Sequence, residues 1–381
     1  MTIRLLTVAA LTLSLGRAEA QSGKPRARDL GVPFEGAPGP LNAITDVPGV
    51  EVGHTTLISG DSVRTGVTVV LPEGKRARNQ VFAGWFTLNA DGEMTGTTWI
   101  EESGILEGPV AITNTHSVGS VHQAVIEWSV KNVEGLSWSL PVVAETWDGG
   151  LNDINGFQVK REHVFAAIEN AAGGAVPEGN VGGGTGMQVY QFKGGIGTSS
   201  RVLETPHGPF TVGVLVQANY GLRPQLRVAG APVGLEIPDL MPEGRDSGDD
   251  DGADLDGSII IVVATDAPVL PHQLKRIAKR ASLGLGRNGS IASNGSGDIF
   301  IAFSTFHKSI GTEEGGLYDL KMLGNSDLNP IFRATVEASE EAVINAMVAA
   351  ETMTGKNGLK VHALPHDRLR EALRKYNRLA P

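Results

Sequence analysis

Five consecutive β-branched residues, Ile259-Ile260-Ile261-Val262-Val263, limit what this 381-residue chain can fold into more than any other stretch. A strand with one wet face alternates apolar and polar residues, so an unbroken apolar run must be covered on both faces, and five residues are too few for a helix. The run therefore predicts a fully buried strand inside a layered protein. Ser258 stands immediately before it, and before Ser258 runs an acidic stretch from Arg245 to Gly257 with six aspartates and three glycines. That composition predicts a mobile, solvated loop. A peptide bond between Gly257 and Ser258 would be reachable from one side and rigidly held from the other. A chain that cuts itself there would leave Ser258 as a new N-terminus with hydroxyl and α-amine facing a cleft. On spacing alone, Ser258 is also an ordinary turn residue ahead of a strand.

The length allows one large domain or two ordinary ones, and 41% hydrophobic residues suffice for a real core. Fifty glycines and few aromatics favour tight turns and sheet over a helical bundle, since glycine is costly inside helices. A net charge of -10, with no basic stripe, argues against nucleic acid as a partner. Residues 1–20 carry Arg4, an apolar Leu5 to Leu15 and a small-x-small signal at Ala18-Glu19-Ala20, the pattern of a cleaved export segment too short to span a bilayer. No later stretch reaches spanning length, so an exported, periplasmic product without a membrane partner is expected. The absence of cysteine excludes thiol nucleophiles, thiolate metal sites and disulfides.

Along the chain, Ile44 to His54 reads as a turn followed by an alternating strand, and Gly66 to Leu71 as another strand. Gly108 to Thr113 leads through Asn114-Thr115-His116-Ser117 into a helix with Val118, Val121, Val125 and Trp128 on one face. Leu140 to Ala144 is a strand ending in Glu145, Gly182 to Gly186 is a turn, and Phe210 to Val216 is a strand ending near Asn219. Pro271 suits the first position of a helix carrying Leu274, Ile277, Ala278 and Ala281. After a strand from Asp298 to Phe303 come two more helices, one through Val343, Ile344 and Met347 that stops at Gly355, and one after Asp367. No internal repeat is present, and the order suggests layered sheets flanked by helices.

Several motifs suggest chemistry that their context denies. Gly284-Leu285-Gly286-Arg287-Asn288-Gly289 follows a helix where a dinucleotide fingerprint needs a strand, and reads as a helix C-cap and loop. The aspartates from Asp249 to Asp256 lack the alternate ligands and closing glutamate of a calcium loop. His362 and His366 flank Pro365 and cannot form a helical metal pair. Neither a metal nor a cofactor is expected.

Segments spread over nearly the whole chain resemble the self-processing aminopeptidase family of DmpA and the β-peptidyl aminopeptidases. They are Ile44 to His54, Trp99 to Gly108, Thr113 to Gly119, Glu145 to Gly149 with Leu151 to Gly156, Val216 to Gly221, Gly257-Ser258 and Asn294 to Phe300. The resemblance implies an α/β fold, a four-layer αββα sandwich of the DmpA and ornithine-acetyltransferase type, similar to N-terminal-nucleophile hydrolases. With residues 1–20 read as a signal peptide from their own pattern, it implies 21–257 as an α-chain and 258–381 as a β-chain, the two forming one domain after cleavage and assembling as a tetramer of αβ units. It also implies small peptides or amino-acid amides as substrates, Ser258 as nucleophile and Asn219 as donor to the oxyanion. Ser296 and Asp298 would orient or relay the proton of Ser258, and Glu145 would hold the substrate's ammonium. At Trp147 several members carry a tyrosine whose hydroxyl reaches the nucleophile, which tryptophan cannot supply. At Asp298 some members have glutamate.

The residue types suit that chemistry. No His–Asp pair offers itself to activate a serine, whereas self-cleavage would free an α-amine of reference pKa about 7.7 to 8 on the same residue. Two other functions fit the sequence less well: an acyltransferase of the ornithine-acetyltransferase type, in which threonine stands at the cut, and an inactive binding protein that kept the fold. Preference among β-, D- and L-amino acids is not legible in the sequence.

Overall fold

The β-branched run lies at the centre of a strand, with Ile259 to Val262 fully buried. The computed structural model describes residues 24–75, 78–244, 257–308, 310 and 317–380; the expected export segment and the acidic stretch from Arg245 to Asp256 lie outside them. In chain order the strands are β1 (Glu51–Ser59), β2 (Val63–Leu71), β3 (Val81–Ala90), β4 (Ile105–Leu106), β5 (Val110–Asn114), β6 (Val142–Thr146), β7 (Gln188–Val189), β8 (Phe192–Lys193), β9 (Gly195–Thr205), β10 (Gly208–Tyr220), β11 (Gly257–Thr265), β12 (Gly297–Ser304), β13 (Met353–Thr354) and β14 (Lys360–Val361). The helices are α1 (Thr97–Ser103), α2 (Val118–Asn132), α3 (Arg161–Glu169), α4 (Val233–Glu236), α5 (Pro271–Arg287), α6 (Asn329–Ala349) and α7 (His366–Lys375).

Two sheets face each other. One has the order β1-β2-β5-β6 and the other β4-β3-β12-β11-β10-β9. Between them pack Ile112, Val142 and Ala144 from the first sheet and Leu215, Ile260, Val262, Ile299 and Ile301 from the second. Alternation sends Ile259, Ile261 and Val263 to the opposite face, against Leu274, Ile277 and Ala281 of α5 and Ala342 and Met347 of α6. Val69, Ala111 and Val143 likewise face Val121, Val125 and Trp128 of α2 and Val164 and Ile168 of α3. The result is four layers, αββα, and it explains the unbroken run: β11 is covered by a sheet on one side and helices on the other.

Two boundaries differ from the sequence expectation. Gly284 and Gly286 lie inside α5 and not at its cap. A methyl on Gly284 would sit 2.6 Å from Ser339 Cβ and 2.9 Å from Glu340 N, so that glycine allows α5 and α6 to touch. Helix α6 ends at Ala349, well before Gly355. Gly355 instead lets the chain pass the Leu151 backbone, where an added Cβ would lie 2.1 Å from the carbonyl oxygen. Strand β10 ends at Tyr220, close to the expected end near Asn219, and Asn219 belongs to the strand itself.

Candidate active site

At the end of β10 and the start of β11, antiparallel register puts Asn219 directly opposite Ser258 and Tyr220 opposite Gly257. Strand alternation turns both Ser258 and Asn219 toward the space between the sheets, in line with Leu215, Ile260 and Val262. Ser258 is 5% exposed, so its hydroxyl sits in a nearly closed pocket rather than on an open junction. Gly257 has φ +71, a left-handed conformation that glycine adopts without strain. A Cβ there would fall 1.7 Å from the Asn219 carbonyl oxygen and 3.1 Å from Asn219 Nδ2. The side-chain amide nitrogen of Asn219 therefore lies alongside the Gly257–Ser258 bond.

Two contacts decide which way that amide points. Asn219 Nδ2 donates to the Trp147 carbonyl oxygen at 2.9 Å, and Asn219 Oδ1 accepts from Gln188 N at 2.8 Å. One N–H is thus used in holding the side chain, and an amide nitrogen carries two. Trp147 enters the site through its backbone, while its indole folds over Gly149, where a Cβ would lie 2.6 Å from two ring atoms.

On the other side of β11, Gly297 of β12 is the parallel partner of Ser258. Ser296 and Asp298 flank it, and Ser296 Oγ donates to Asp298 Oδ1 at 2.7 Å with both residues buried. Asp298 alternates to the helix-facing side with Phe300 and Ala302. There its charge bears on Tyr190 and Tyr220, whose rings meet edge-on at 5.1 Å and whose hydroxyl pKa values are pushed up, by burial first.

Glu145 is the penultimate residue of β6 and is buried. Its Oε1 accepts from Glu93 N at 3.0 Å and its Oε2 from the Thr115 hydroxyl. A Cβ on Gly92 would lie 3.1 Å from Glu145 Oε1 and 3.2 Å from Gly297 Cα, so the turn through Gly92 joins this carboxylate to the strand beside Ser258. Burial raises the Glu145 pKa against those two hydrogen bonds, and the charges of Glu93 and Asp91 raise it further. Among the described residues no Lys, Arg or His forms an ion pair with Glu145. A buried acidic pocket of this kind is suited to an ammonium brought by a ligand.

The sequence reading missed a second buried carboxylate, Asp148, next to Trp147. Asn114 Nδ2 donates to it at 3.1 Å and Asn152 Nδ2 at 3.0 Å, and burial lifts its pKa from 3.8 to about 6. It also missed Gln188 and Lys193, which stand behind Asn219. Only the Asp–Asn spacing in Trp147-Asp148 to Asn152 offered any hint, as a local turn pattern.

A serine opposite an amide donor at the start of a strand, within an αββα sandwich, defines the architecture of N-terminal-nucleophile hydrolases. The sequence pattern of Peptidase family S58 matches residues 42–361. The chain is 56% identical to the beta-peptidyl aminopeptidase BapA of Sphingosinicella microcystinivorans, over 97% of this chain and 96% of that one. Among solved structures it resembles the L-aminopeptidase D-Ala-esterase/amidase of Ochrobactrum anthropi, a prototype serine aminopeptidase with a variant of the Ntn hydrolase fold. The two share 49% identity and a TM-score of 0.87, over 94% of this chain and 100% of that one. A Burkholderia sp. beta-aminopeptidase matches at 46% identity and TM-score 0.84, covering 92% and 99%. The chain belongs to Peptidase family S58. It is a serine aminopeptidase, and an acetyltransferase reading finds no support among these relatives.

Proposed function

We propose that this aminopeptidase is made as a precursor, cuts its own Gly257–Ser258 bond, and then uses Ser258 to release single N-terminal residues from short peptides, amides or esters. The observation that carries this reading is the register of Asn219 against Ser258, with Asn219 Nδ2 beside Gly257. In the first cut, the Ser258 hydroxyl oxygen attacks the Gly257 carbonyl carbon. The C–N bond breaks, the Ser258 nitrogen takes up a proton as an amine, and the acyl group rests on the hydroxyl as an ester. Water then releases the Gly257 carboxylate. The left-handed turn at Gly257 favours the bent geometry this attack needs.

Afterwards the α-amine, a group whose reference pKa is about 7.7 to 8, serves as base for the hydroxyl of the same residue. Asn219 donates its remaining N–H to the oxyanion, an interaction worth roughly 3 to 4 kcal/mol. Glu145 holds the substrate's free ammonium by a charge-assisted bond worth about 1.5 to 3 kcal/mol. Ser296, held by Asp298, orients the Ser258 proton. Trp147 contributes the carbonyl that aims Asn219 and lines the pocket.

The names of the relatives favour β-amino and D-alanyl substrates beside L-residues. A matched panel of β-homoalanyl, L-alanyl and D-alanyl anilides ranks them. An exported, tetrameric enzyme completes the proposal, tested by fractionating cells and by light scattering. The central claim is tested by intact mass of the purified protein. A fragment beginning at Ser258 is expected, and Ser258→Ala should leave one uncut, inactive chain. Full aminopeptidase activity from an uncut chain would refute it.

A further inference from the structure

We propose that Lys193 is a positioning residue for Asn219, acting through the Met187–Gln188 peptide group. Lys193 lies in β8 and is completely buried. Its Nζ donates to the carbonyl oxygens of Met187 at 2.7 Å, Gly194 at 2.8 Å and Gly184 at 3.4 Å. Three acceptors and no donor surround it in these contacts. That set matches the three protons of an ammonium, whereas a neutral amine would turn its lone pair toward a carbonyl oxygen.

The Met187 carbonyl and the Gln188 N–H belong to one peptide unit. The same planar group that accepts from Lys193 Nζ therefore donates to Asn219 Oδ1 at 2.8 Å. A cation on the oxygen side of a peptide enlarges its dipole and strengthens its N–H as a donor, and hydrogen bonds in series polarise one another. The Asn219 amide, bonded at Oδ1 by this donor and at Nδ2 by the Trp147 carbonyl, is held with its nitrogen toward Gly257. Its remaining N–H becomes a stronger partner for a developing oxyanion without any motion at the moment of reaction.

The cost of the arrangement argues for its use. Burial pushes the Lys193 pKa down from 10.5 to about 7, which is a loss that a methionine of similar length would avoid. Among the titratable residues on the surrounding segments, His54 Nδ1 lies 2.7 Å from where a Cβ on Gly182 would stand, Asp148 Cβ lies 2.9 Å from where one on Gly186 would, Tyr190 stands in the turn between β7 and β8, and the His362 carbonyl accepts from Lys193 N at 2.7 Å. None of them forms an ion pair with Lys193 among the described residues, so the carbonyl cage is what opposes its desolvation.

The inference rests on Asn219 being the oxyanion donor, and the experiment separates the two claims. The variants Lys193→Met, Asn219→Ala and the double variant are assayed for kcat, KM and self-cleavage rate, normalised to processed chain, with folding checked by circular dichroism. Deleting an oxyanion donor costs about 100- to 1000-fold in kcat, and weakening it through one neighbour should cost less, about 5- to 30-fold at unchanged KM. In the Asn219→Ala background the Lys193→Met effect should fall to about twofold or less. A loss of under about tenfold for Asn219→Ala overturns the oxyanion reading itself. A large Asn219→Ala loss beside an equal Lys193→Met factor in both backgrounds, or none in either, overturns the relay alone. If Lys193→Met fails to fold, NMR of wild-type protein labelled with 15N at lysine Nζ decides: a neutral Lys193 at the working pH refutes the proposal, and a charged one supports it.

Discussion

Replacing Gly257 with alanine tests the geometry of the cut. The added Cβ would stand 1.7 Å from the Asn219 carbonyl oxygen, about half the distance at which such atoms normally meet. The obstacle is backbone, so no side chain can swing aside, and β10 must part from β11 where Asn219 faces Ser258. Holding alanine at φ +71 costs about 1 to 2 kcal/mol, and one lost ladder hydrogen bond adds about 1. The precursor should lose about 2 to 3 kcal/mol, read as urea unfolding of Gly257→Ala/Ser258→Ala against Ser258→Ala, both of which lack the proposed nucleophile. With Ser258 intact, the same displacement carried into the transition state slows self-cleavage about 30- to 150-fold, followed by intact mass during cell-free synthesis. Stability within about 0.5 kcal/mol of the control, together with cleavage within about threefold of wild type, would refute the argument that Gly257 shapes the scissile bond.

Two further outcomes follow from the buried carboxylates. Glu145→Gln should lower kcat/KM for substrates with a free amino group about 10- to 150-fold, the loss of one charge-assisted bond, and should spare none of the preference for free over acetylated termini. Because burial raises the Glu145 pKa, the wild-type kcat/KM profile should carry, beside the limb set by the α-amine base, a second acid ionisation above the ordinary glutamate range, and Glu145→Gln should remove that ionisation alone, as steady-state assays across pH would read. For Asp148, the folded-state pKa of about 6 exceeds the ordinary 3.8, so both states hold the proton at low pH and nothing is lost there. As pH rises from 3.8 to about 6 the unfolded chain ionises first, and the fold should lose roughly 3 kcal/mol, constant at higher pH. Urea titrations of Ser258→Ala with and without Asp148→Asn measure this as a slope present only with the aspartate.

Much of the candidate site was legible because its residues stand at visible junctions. Ser258 separates an acidic stretch from an apolar run, and Glu145 and Asn219 close apolar strands. Asp148, Gln188 and Lys193 stood in no such pattern. A lysine in Gln191-Phe192-Lys193-Gly194 reads as a surface charge, and only its burial beneath the Gly182–Gly186 turn gives it carbonyl partners. Trp147 shows the same limit, since its identity draws attention to the ring while its carbonyl aims Asn219.

The sequence by itself determined that β11 is covered on both faces and that α2 and α5 are amphipathic, because periodicity and β-branching act over a few neighbouring residues. It also carried the family resemblance, and with it the expected order of layers. Only the tertiary structure decided that Asn219 and Ser258 share a register and a face, that Asp298 turns to the helix side, and that a buried lysine stands two hydrogen bonds behind the Asn219 amide. Those relations join segments tens of residues apart, and burial, pairing and the direction of a side chain exist only once the sheets have closed on each other.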